Sequence, residues 1–325
     1  MRRVLIGILL TACVVIFYFT LSTARDVFSS DLSAPPSVHA SENEYRLVLI
    51  SQELDSPFWT ELEKGALAAA EKYGVSLEAW GTFGLNEVDF VHNFEIAIAS
   101  KVDGIIVQGL DTEDFKKLTK TRAAGNGIPV ITVGSDVPVS ESIRRTYVGS
   151  NHYEAGQLLA KQLIADMGTT GKVILMVGNQ NEFFQEERLS GILDTIRDFS
   201  EIESEIIVAG NTNEKVAEVT NSVLNRDPGT KAFISVTSNS ATVVTREIGK
   251  RYKKEDFYIY AFDESPDTLK LLRNGSIDAL IQQSPERMGE LSVELMVRWL
   301  QGKDLPLNFE GYFTDIKVLK AEDLP

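Results

Sequence analysis

Aromatic and charged side chains directly follow two predicted strands of the sequence. Phe58 and Trp59 come shortly after the first apolar run, and Asp263 follows the run 257–262. Aromatic rings can stack on the apolar face of a polyhydroxylated ring, and an ionised carboxylate can accept two hydroxyl protons. Because ligands of open parallel sheets bind at the carboxyl ends of strands, these residues predict a site for such a ring. The alternatives are that Phe58 and Trp59 pack on the core at a helix start, and that Asp263 caps the helix near Pro266.

This sequence has few residues that could bind a metal or carry out redox chemistry. The only cysteine, Cys13, lies in the N-terminal apolar run, so neither a disulfide framework nor a thiolate zinc site can form. His39, His92 and His152 are scattered and make no H-x-x-x-H pair, and no cofactor motif is present. We therefore expect no metal, no cofactor and no enzymatic activity. The enzyme alternative is a glycosidase that uses a pair of the 47 acidic residues, with no nucleophile motif to support it.

The composition predicts a two-lobed globular protein. The chain has 325 residues, 43% of them hydrophobic and 24% charged, which is ordinary for a globular protein and too long for one small core. The formal net charge is -15 and the pI is near 4.8. Because partners held through phosphates need clustered Lys and Arg, we expect no nucleic-acid partner.

The first residues predict export across a membrane. Arg2 and Arg3 precede an uncharged stretch over 4–21, which is long enough to cross or nearly cross the hydrocarbon core of a bilayer. By the positive-inside rule the N-terminus is cytoplasmic, and residues 45–325 are extracytoplasmic. We favour an uncleaved membrane anchor over a cleaved signal segment for residues 1–24.

Two other fates of this segment stay open. Ser22, Thr23 and Ala24 offer small residues for signal-peptide cleavage. The segment 10–13 resembles the motif at which bacterial lipoproteins are cut and acylated on cysteine, although the apolar run continues beyond Cys13. If the anchor is retained, the Ser-, Pro- and Ala-rich region 25–44 predicts a flexible spacer.

From residue 45 onward the pattern predicts an α/β fold. Short runs rich in Val and Ile alternate with amphipathic stretches, as in βαβ units around a buried parallel sheet. The first helix is predicted to begin at Ser56-Pro57 and to end at Tyr73 with Gly74 as its C-cap. The candidate strands include 46–50, 104–107, 129–133, 172–177, 231–235 and 257–262. The other candidate helices lie near 86–100, 113–124, 153–167, 184–198, 214–225, 239–252, 266–273 and 286–301.

Several local motifs occur in one order along the chain. Those of the first half are Ser56-Pro57-Phe58-Trp59, Val102-Asp103-Gly104-Ile105-Ile106, Gly127-Ile128-Pro129-Val130-Ile131 and Tyr147-Val148-Gly149-Ser150-Asn151. Those of the second half are Ala261-Phe262-Asp263-Glu264-Ser265-Pro266-Asp267, Asn274-Gly275-Ser276-Ile277 and Gln283-Ser284-Pro285. In this order and spacing the sequence resembles the ribose/xylose class of periplasmic sugar-binding proteins. The resemblance covers nearly all of residues 45–320.

This resemblance implies an architecture. It is two doubly wound parallel-sheet lobes joined by a three-segment hinge, with the ligand in the cleft between them. The N-terminal lobe would consist of residues 45–149 and 284–312. The C-terminal lobe would consist of residues 150–283 and 313–325.

The resemblance also implies which side chains bind the sugar. Arg188 matches the family's binding arginine, whose planar fork can bond two adjacent hydroxyls, and its alternative is a surface ion pair. Phe262 and Asp263 stand where the family has an aromatic ring and a hydroxyl acceptor. Gln283 lies at a lobe crossing, and its alternative is a core amide. The weaker polar candidates are Ser51, Ser56, Asn151, Thr237 and Asn239.

Two positions leave open which sugar binds and which aromatic side chain of the second lobe stacks on it. Ribose receptors have an Asp-Arg pair after the strand that ends at Val133, whereas this chain has Gly134, Ser135 and Asp136. The arginine is absent, and Asp136 is the candidate for the carboxylate after a shifted loop. The pair 183–184 either supplies an aromatic plate from the second lobe or only packs at the start of a helix.

The expected function is that of an extracytoplasmic monosaccharide receptor that closes on its ligand. An aldopentose is expected, with xylose favoured. The chain resembles membrane-anchored xylose-sensing receptors that partner a sensor histidine kinase, so signalling to such a kinase is the favoured role. The alternative is the substrate-binding component of an ABC sugar transporter, with a permease as partner. A transcriptional regulator is disfavoured because no helix-turn-helix precedes residue 45.

Overall fold

A computed structural model describes most of the chain. It covers Val15, residues 17–19, and residues 45–324 apart from 83, 85, 179–181, 238–239 and 252–256. Residues 45–325 form one compact unit. Within the part of the chain that is described, no helix has the length and apolar character needed to cross a bilayer. Most of the anchor predicted over 1–24, and the whole spacer predicted over 25–44, lie outside the described residues.

Strands and helices alternate along the folded unit, as the sequence pattern predicts. The first elements are β1 (Arg46–Ser51), α1 (Pro57–Tyr73), β2 (Ser76–Gly81), α2 (Glu87–Ala99), β3 (Gly104–Gln108), α3 (Glu113–Lys117), β4 (Val130–Val133) and β5 (Thr146–Gly149). The next are α4 (His152–Met167), β6 (Gly171–Val177), α5 (Phe183–Ile196), β7 (Ile202–Val208), α6 (Asn213–Arg226), β8 (Thr230–Ser235) and α7 (Ser240–Gly249). The last are β9 (Tyr258–Phe262), α8 (Pro266–Arg273), β10 (Ala279–Gln282), α9 (Pro285–Leu300), β11 (Tyr312–Phe313) and β12 (Lys317–Leu319).

The strands form two separate six-stranded sheets. The N-terminal sheet has the order β11-β5-β4-β3-β1-β2, and the C-terminal sheet has the order β12-β10-β9-β8-β6-β7. Neighbouring strands pair in parallel except β10 and β12, which are antiparallel. Apolar side chains are buried on both faces of each sheet, so each sheet is the centre of its own α/β lobe. The predicted fold of two parallel-sheet lobes is confirmed.

The chain passes between the two sheets at three places in the described residues. It leaves the N-terminal sheet after β5, returns after β10 through α9, and leaves again between β11 and β12. The crossing segments are 150–151, 283–284 and 314–316. The three-segment connection between the lobes is therefore present.

A serine followed by a proline begins helices at three strand ends. Ser56 is extended and its Oγ accepts the backbone N–H of Trp59, while Pro57 takes the first helical position. The same pairs begin α8 at Ser265 and α9 at Ser284. Helix α1 ends at Gly74, which has a φ of 63° and donates to two helix carbonyls, as the sequence predicts. The side chains of Ser56 and Ser265 cap their helices, whereas the Ser284 Oγ donates to the Asp315 carbonyl at 3.0 Å.

Two pairs of glycines bring helices into direct backbone contact. A Cβ on Gly156 of α4 would lie 2.2 Å from the carbonyl oxygen of Arg188 in α5, and a Cβ on Gly191 would lie 2.0 Å from that of Tyr153. In the N-terminal lobe, Gly65 of α1 and Gly289 of α9 make the matching close contacts. Only glycine fits at such crossings, because any Cβ would push the helices apart. The helix that carries Arg188 is thereby held tightly against α4.

Candidate functional site

One cavity of about 400 Å³ lies at the carboxyl ends of the strands of both sheets. From the N-terminal lobe its lining comes from the loops after β1, β3 and β4, and from the C-terminal lobe it comes from the ends of β6, β7, β8 and β9. This is the position at which open parallel sheets bind ligands. The lining residues used below are Gln52, Glu53, Asp55, Ser56, Phe58, Trp59, Gln108, Gly134, His152, Glu182, Phe184, Arg188, Asn211, Thr237, Asp263, Glu264 and Gln283.

Phe58 and Trp59 form an aromatic wall on the N-terminal side of the cavity. Their ring centroids are 5.4 Å apart and their planes are nearly perpendicular, at 84°. Trp59 is buried, and both rings pack close to Gly134, where a Cβ would lie 3.1 Å from the Phe58 ring and 3.3 Å from that of Trp59. The absence of a side chain at Gly134 therefore leaves the space that these rings fill.

Arg188 presents its guanidinium on the C-terminal side. The residue is only 2% exposed, and its Nη1 donates to the Val236 carbonyl at 2.8 Å. Its guanidinium carbon lies 4.3 Å from the Phe262 ring centroid and 4.9 Å from that of Phe184. Cation–π contacts with both rings fix the plane of the fork. The surface ion pair considered for Arg188 is therefore wrong, since the side chain is buried.

Asp263 and Gln283 complete the polar side of the cavity. Asp263 follows β9 with a φ of 70°, a left-handed conformation uncommon for a residue other than glycine. One carboxylate oxygen, Oδ1, lies 3.4 Å from Arg188 Nη2 and also accepts a hydrogen bond from Gln283 Nε2. The Oε1 of Gln283 accepts from Ser150 Oγ at 2.6 Å. The strained backbone thus holds a carboxylate beside the guanidinium and the hinge amide, where ring hydroxyls can both donate and accept.

The cavity is acidic. Its lining includes five carboxyl groups, those of Glu53, Asp55, Glu182, Asp263 and Glu264, against the single guanidinium of Arg188. Burial raises the pKa of Glu53, and the neighbouring Asp55 raises it further. Burial is also the largest cause of the raised pKa of Glu182, to which the charge of Glu53 adds. Such a lining favours neutral ligands with hydroxyl donors over anionic ones. Among the described residues, no group of three or more His, Cys, Asp or Glu could hold a metal ion.

The structure brings most of the sequence-predicted residues to this cavity. These are Ser56, Phe58, Trp59, Arg188, Thr237, Asp263 and Gln283. The hydroxyl of Thr237 lies 3.0 Å from that of Ser240 in the first turn of α7. Asn239 lies outside the described residues.

Four predicted residues are not among those that line the cavity. Ser51 is buried at the end of β1. Asn151 caps α4, where its Oδ1 accepts the Glu154 N–H at 3.0 Å. Phe262 lies beneath the Arg188 guanidinium and supports it without reaching the cavity itself.

Asp136 is the fourth and has a different role from the one predicted. Its carboxylate is buried and pairs with Arg144 Nη2 at 2.5 Å, and it accepts from Thr132 Oγ1 at 2.5 Å. The Arg144 Nη1 in turn donates to the Phe309 carbonyl at 2.7 Å. This network ties the loop after β4 to the segment before β11, so Asp136 does not offer its carboxylate to the cavity.

Several lining residues were missed as candidates. Gln52 and Gln108 directly follow or end strands, and the Gln52 N–H donates to Gln108 Oε1 at 2.9 Å. Asn211 follows β7, a strand that the apolar pattern did not indicate. From the sequence, His152 is a candidate only for metal binding. The signal that could have found it is its position directly after the first crossing between the lobes. Phe184, one of the two aromatic alternatives, lines the cavity.

Comparisons with known proteins agree with this architecture. Residues 47–304 match the family described as periplasmic binding protein domain. The ribose import binding protein of Bacillus subtilis (strain 168) is 24% identical over 280 residues, which are 83% of this chain and 86% of that protein. The relatives are sugar-binding proteins and not enzymes.

Two solved structures are similar over the folded unit. GanP, a glucose-galactose binding protein from Geobacillus stearothermophilus, is 33% identical with a TM-score of 0.82, and the match covers 87% of this chain and 100% of GanP. A chain of the XylFII–LytSN complex is 28% identical with a TM-score of 0.77, and the match covers 87% of this chain and 100% of that one. The chain therefore belongs to the periplasmic binding protein family, within its ribose/xylose class of sugar-binding proteins.

Proposed function

We propose that this chain is an extracytoplasmic receptor for a single aldopentose, with xylose first. The observation that carries the proposal is the convergence of an aromatic wall, a buried guanidinium, a carboxylate and a hinge amide on one cavity between two lobes. Phe58 and Trp59 would stack on the apolar face of the sugar, while Arg188, Asp263 and Gln283 would bond its hydroxyls. The lobes proposed are residues 45–149 with 284–312, and 150–283 with 313–325.

The size and charge of the cavity support a small neutral sugar. A volume of about 400 Å³ is at the lower end of ligand sites. The excess of carboxyl groups opposes the binding of sugar acids and sugar phosphates. Among the described lining residues their negative charge would meet no free cation, because Arg188 is already shared with Asp263. A sugar that contacts both lobes favours their closed arrangement only by its higher affinity for that arrangement.

Signalling to a membrane sensor histidine kinase is the proposed consequence of closure. A similar fold in the XylFII–LytSN complex supports assembly with another protein. Delivery to an ABC permease is the second candidate, supported by similarity to a ribose import binding protein. Both roles require an extracytoplasmic location, which membership of the family supports. We propose that residues 1–24 anchor the chain in the membrane.

Calorimetric titration tests the ligand. The full chain, kept in a mild detergent because of its apolar N-terminal run, is titrated with xylose, arabinose, ribose, glucose, galactose and the acid glucuronate. Xylose is expected to bind with micromolar affinity or better, and glucuronate is expected to give no heat. Absence of heat with every neutral monosaccharide would reject the sugar assignment.

Deletion in the source bacterium separates the two roles. Loss of xylose-dependent gene induction, with uptake of labelled xylose retained when the transporter is expressed from an independent promoter, supports the sensor. Loss of that uptake supports transport. Mass of the mature chain from washed membranes tests the anchor, since an intact N-terminus is expected and a start near residue 25 contradicts it.

A further inference from the structure

His152 lies where the chain first crosses between the lobes. It is the first residue of α4, a helix that packs on β9 and β10 of the C-terminal sheet. Its ring nevertheless contacts the N-terminal lobe, because Nε2 lies 3.2 Å from the Gly134 carbonyl oxygen and 3.3 Å from the Tyr147 hydroxyl. The residue is 6% exposed and lines the cavity. One imidazole therefore touches both lobes and the site.

The neighbours of the ring determine where its proton sits. Arg188 Nε lies 3.3 Å from Nδ1 of His152, and a guanidinium nitrogen can only donate. The Nδ1 atom must therefore accept. The proton of the neutral ring is left on Nε2, which donates to the Gly134 carbonyl. A protonated ring would place two N–H groups against each other, so the geometry requires a neutral imidazole.

His152 also belongs to a closed ring of hydrogen bonds around the hinge. Arg188 donates to His152 and to Asp263, Asp263 accepts from Gln283, and Gln283 accepts from Ser150. The ring closes through Tyr147, whose hydroxyl donates to the Ser150 carbonyl at 3.2 Å and contacts His152 Nε2. Four members, His152, Arg188, Asp263 and Gln283, line the cavity, and the ring runs through the first two crossings between the lobes. A change in the orientation of Arg188 is thus transmitted to the hinge through these hydrogen bonds.

We propose that His152 is a positioning residue that orients the Arg188 guanidinium toward the sugar and couples it to the N-terminal lobe. The proposal rests on the sugar-receptor function proposed above. The two aromatic contacts fix the guanidinium plane, and the bonds from Nη1 to the Val236 carbonyl and from Nε to His152 fix its rotation within that plane. The competing explanation is packing alone, since the His152 ring also lies 5.7 Å from the Phe184 ring.

Two substitutions separate orientation from packing. His152→Phe keeps a ring beside Phe184 but removes both nitrogens, whereas His152→Asn loses the ring and keeps an acceptor near the Nδ1 position. We expect His152→Phe to weaken xylose binding at least about tenfold, the effect of one lost hydrogen bond to a charged group. We expect His152→Asn to stay within about threefold of the wild-type chain, by the same reasoning. His92→Phe, on an exposed position of α2, is the matched control and leaves the affinity unchanged.

Nitrogen NMR of labelled histidines in the full chain reads the contact without any sugar. The spectrum of the wild-type chain is expected to show His152 neutral, with the proton on Nε2. Arg188→Lys has no Nε, so it should shift the Nδ1 resonance of His152 and leave that of His92 in place. This measurement decides the contact even if His152→Phe fails to fold.

The outcomes are distinct. A folded His152→Phe variant that binds xylose as tightly as the wild-type chain overturns the proposal, as does a proton on Nδ1. An equal loss in the Phe and Asn variants also overturns it, because the acceptor would then be irrelevant. If the wild-type chain binds no sugar, the proposed function fails, while the NMR shift still reports whether Arg188 bonds His152.

Discussion

Asp263→Asn isolates the contribution of one carboxylate to ligand binding. Asparagine has the same shape and tolerates the left-handed backbone that Asp263 adopts at a φ of 70°, so the fold should be little changed. Its amide can still bond Gln283 or Arg188 but offers one oxygen and no charge. Hydrogen bonds to charged groups contribute about 1.5–3 kcal/mol, against about 0.5–1.5 kcal/mol for neutral ones. Two weakened sugar bonds therefore cost about 2–3 kcal/mol, which is roughly a 30- to 150-fold loss of affinity.

Titration calorimetry with xylose measures this loss, and circular dichroism verifies the fold. The matched control is Asp267→Asn, an exposed acid in the first turn of α8 a few residues further on, which should bind xylose like the wild-type chain. A folded Asp263→Asn variant with affinity within about threefold of wild type would refute a direct bond from this carboxylate to the sugar.

Three further predictions concern the aromatic wall, the helix crossing and pH. Phe58→Leu removes the stacking face but keeps an apolar side chain, so calorimetry should show xylose binding about two- to tenfold weaker; unchanged affinity would exclude stacking on Phe58. Gly156→Ala places a methyl group 2.2 Å from the Arg188 carbonyl oxygen and should lower the melting temperature by at least about 3 °C. Gly125→Ala, with nothing within 4 Å, is its control, and equal melting temperatures would contradict the crossing. Burial, and then the charge of Arg188, lowers the pKa of His152 from 6.5 to about 3. Below pH 6.5 the unfolded chain therefore binds a proton at this residue that the folded chain does not. The free energy of unfolding consequently decreases as pH falls from 6.5 toward 3. Urea unfolding should show the stability advantage of wild type over His152→Gln shrinking by about 1.4 kcal/mol per pH unit from pH 6 to 4, and a constant difference would contradict the depressed pKa.

Features that local chemistry determines could be predicted from the sequence. The Ser56-Pro57 start and the Gly74 end of α1 follow from capping, and the strands rich in Val and Ile were visible because both sheet faces are buried. Strands β2 and β7 are among those that were not predicted. They are edge strands with polar, partly exposed residues such as Glu78 and Glu203, so their composition lacks the continuous apolar run.

Site residues that depend on tertiary pairing could not be predicted in the same way. An aspartate near a strand end serves a ligand or an ion pair depending on what faces it, and Asp136 faces Arg144 from the next loop. Successive side chains of β9 point to opposite faces of the sheet, and the Phe262 ring lies on the face that packs under the Arg188 guanidinium. His152 gave no pattern of its own, because its role depends on Arg188, a residue 36 positions away in the sequence.

The most direct test of sugar binding in the interlobe cavity is a crystal structure of the chain with xylose. We expect one sugar ring between the lobes, stacked on Phe58 or Trp59 and bonded through its hydroxyls to Arg188, Asp263 and Gln283. A sugar bound elsewhere on the surface, or a cavity that stays empty at saturating xylose, would contradict this expectation.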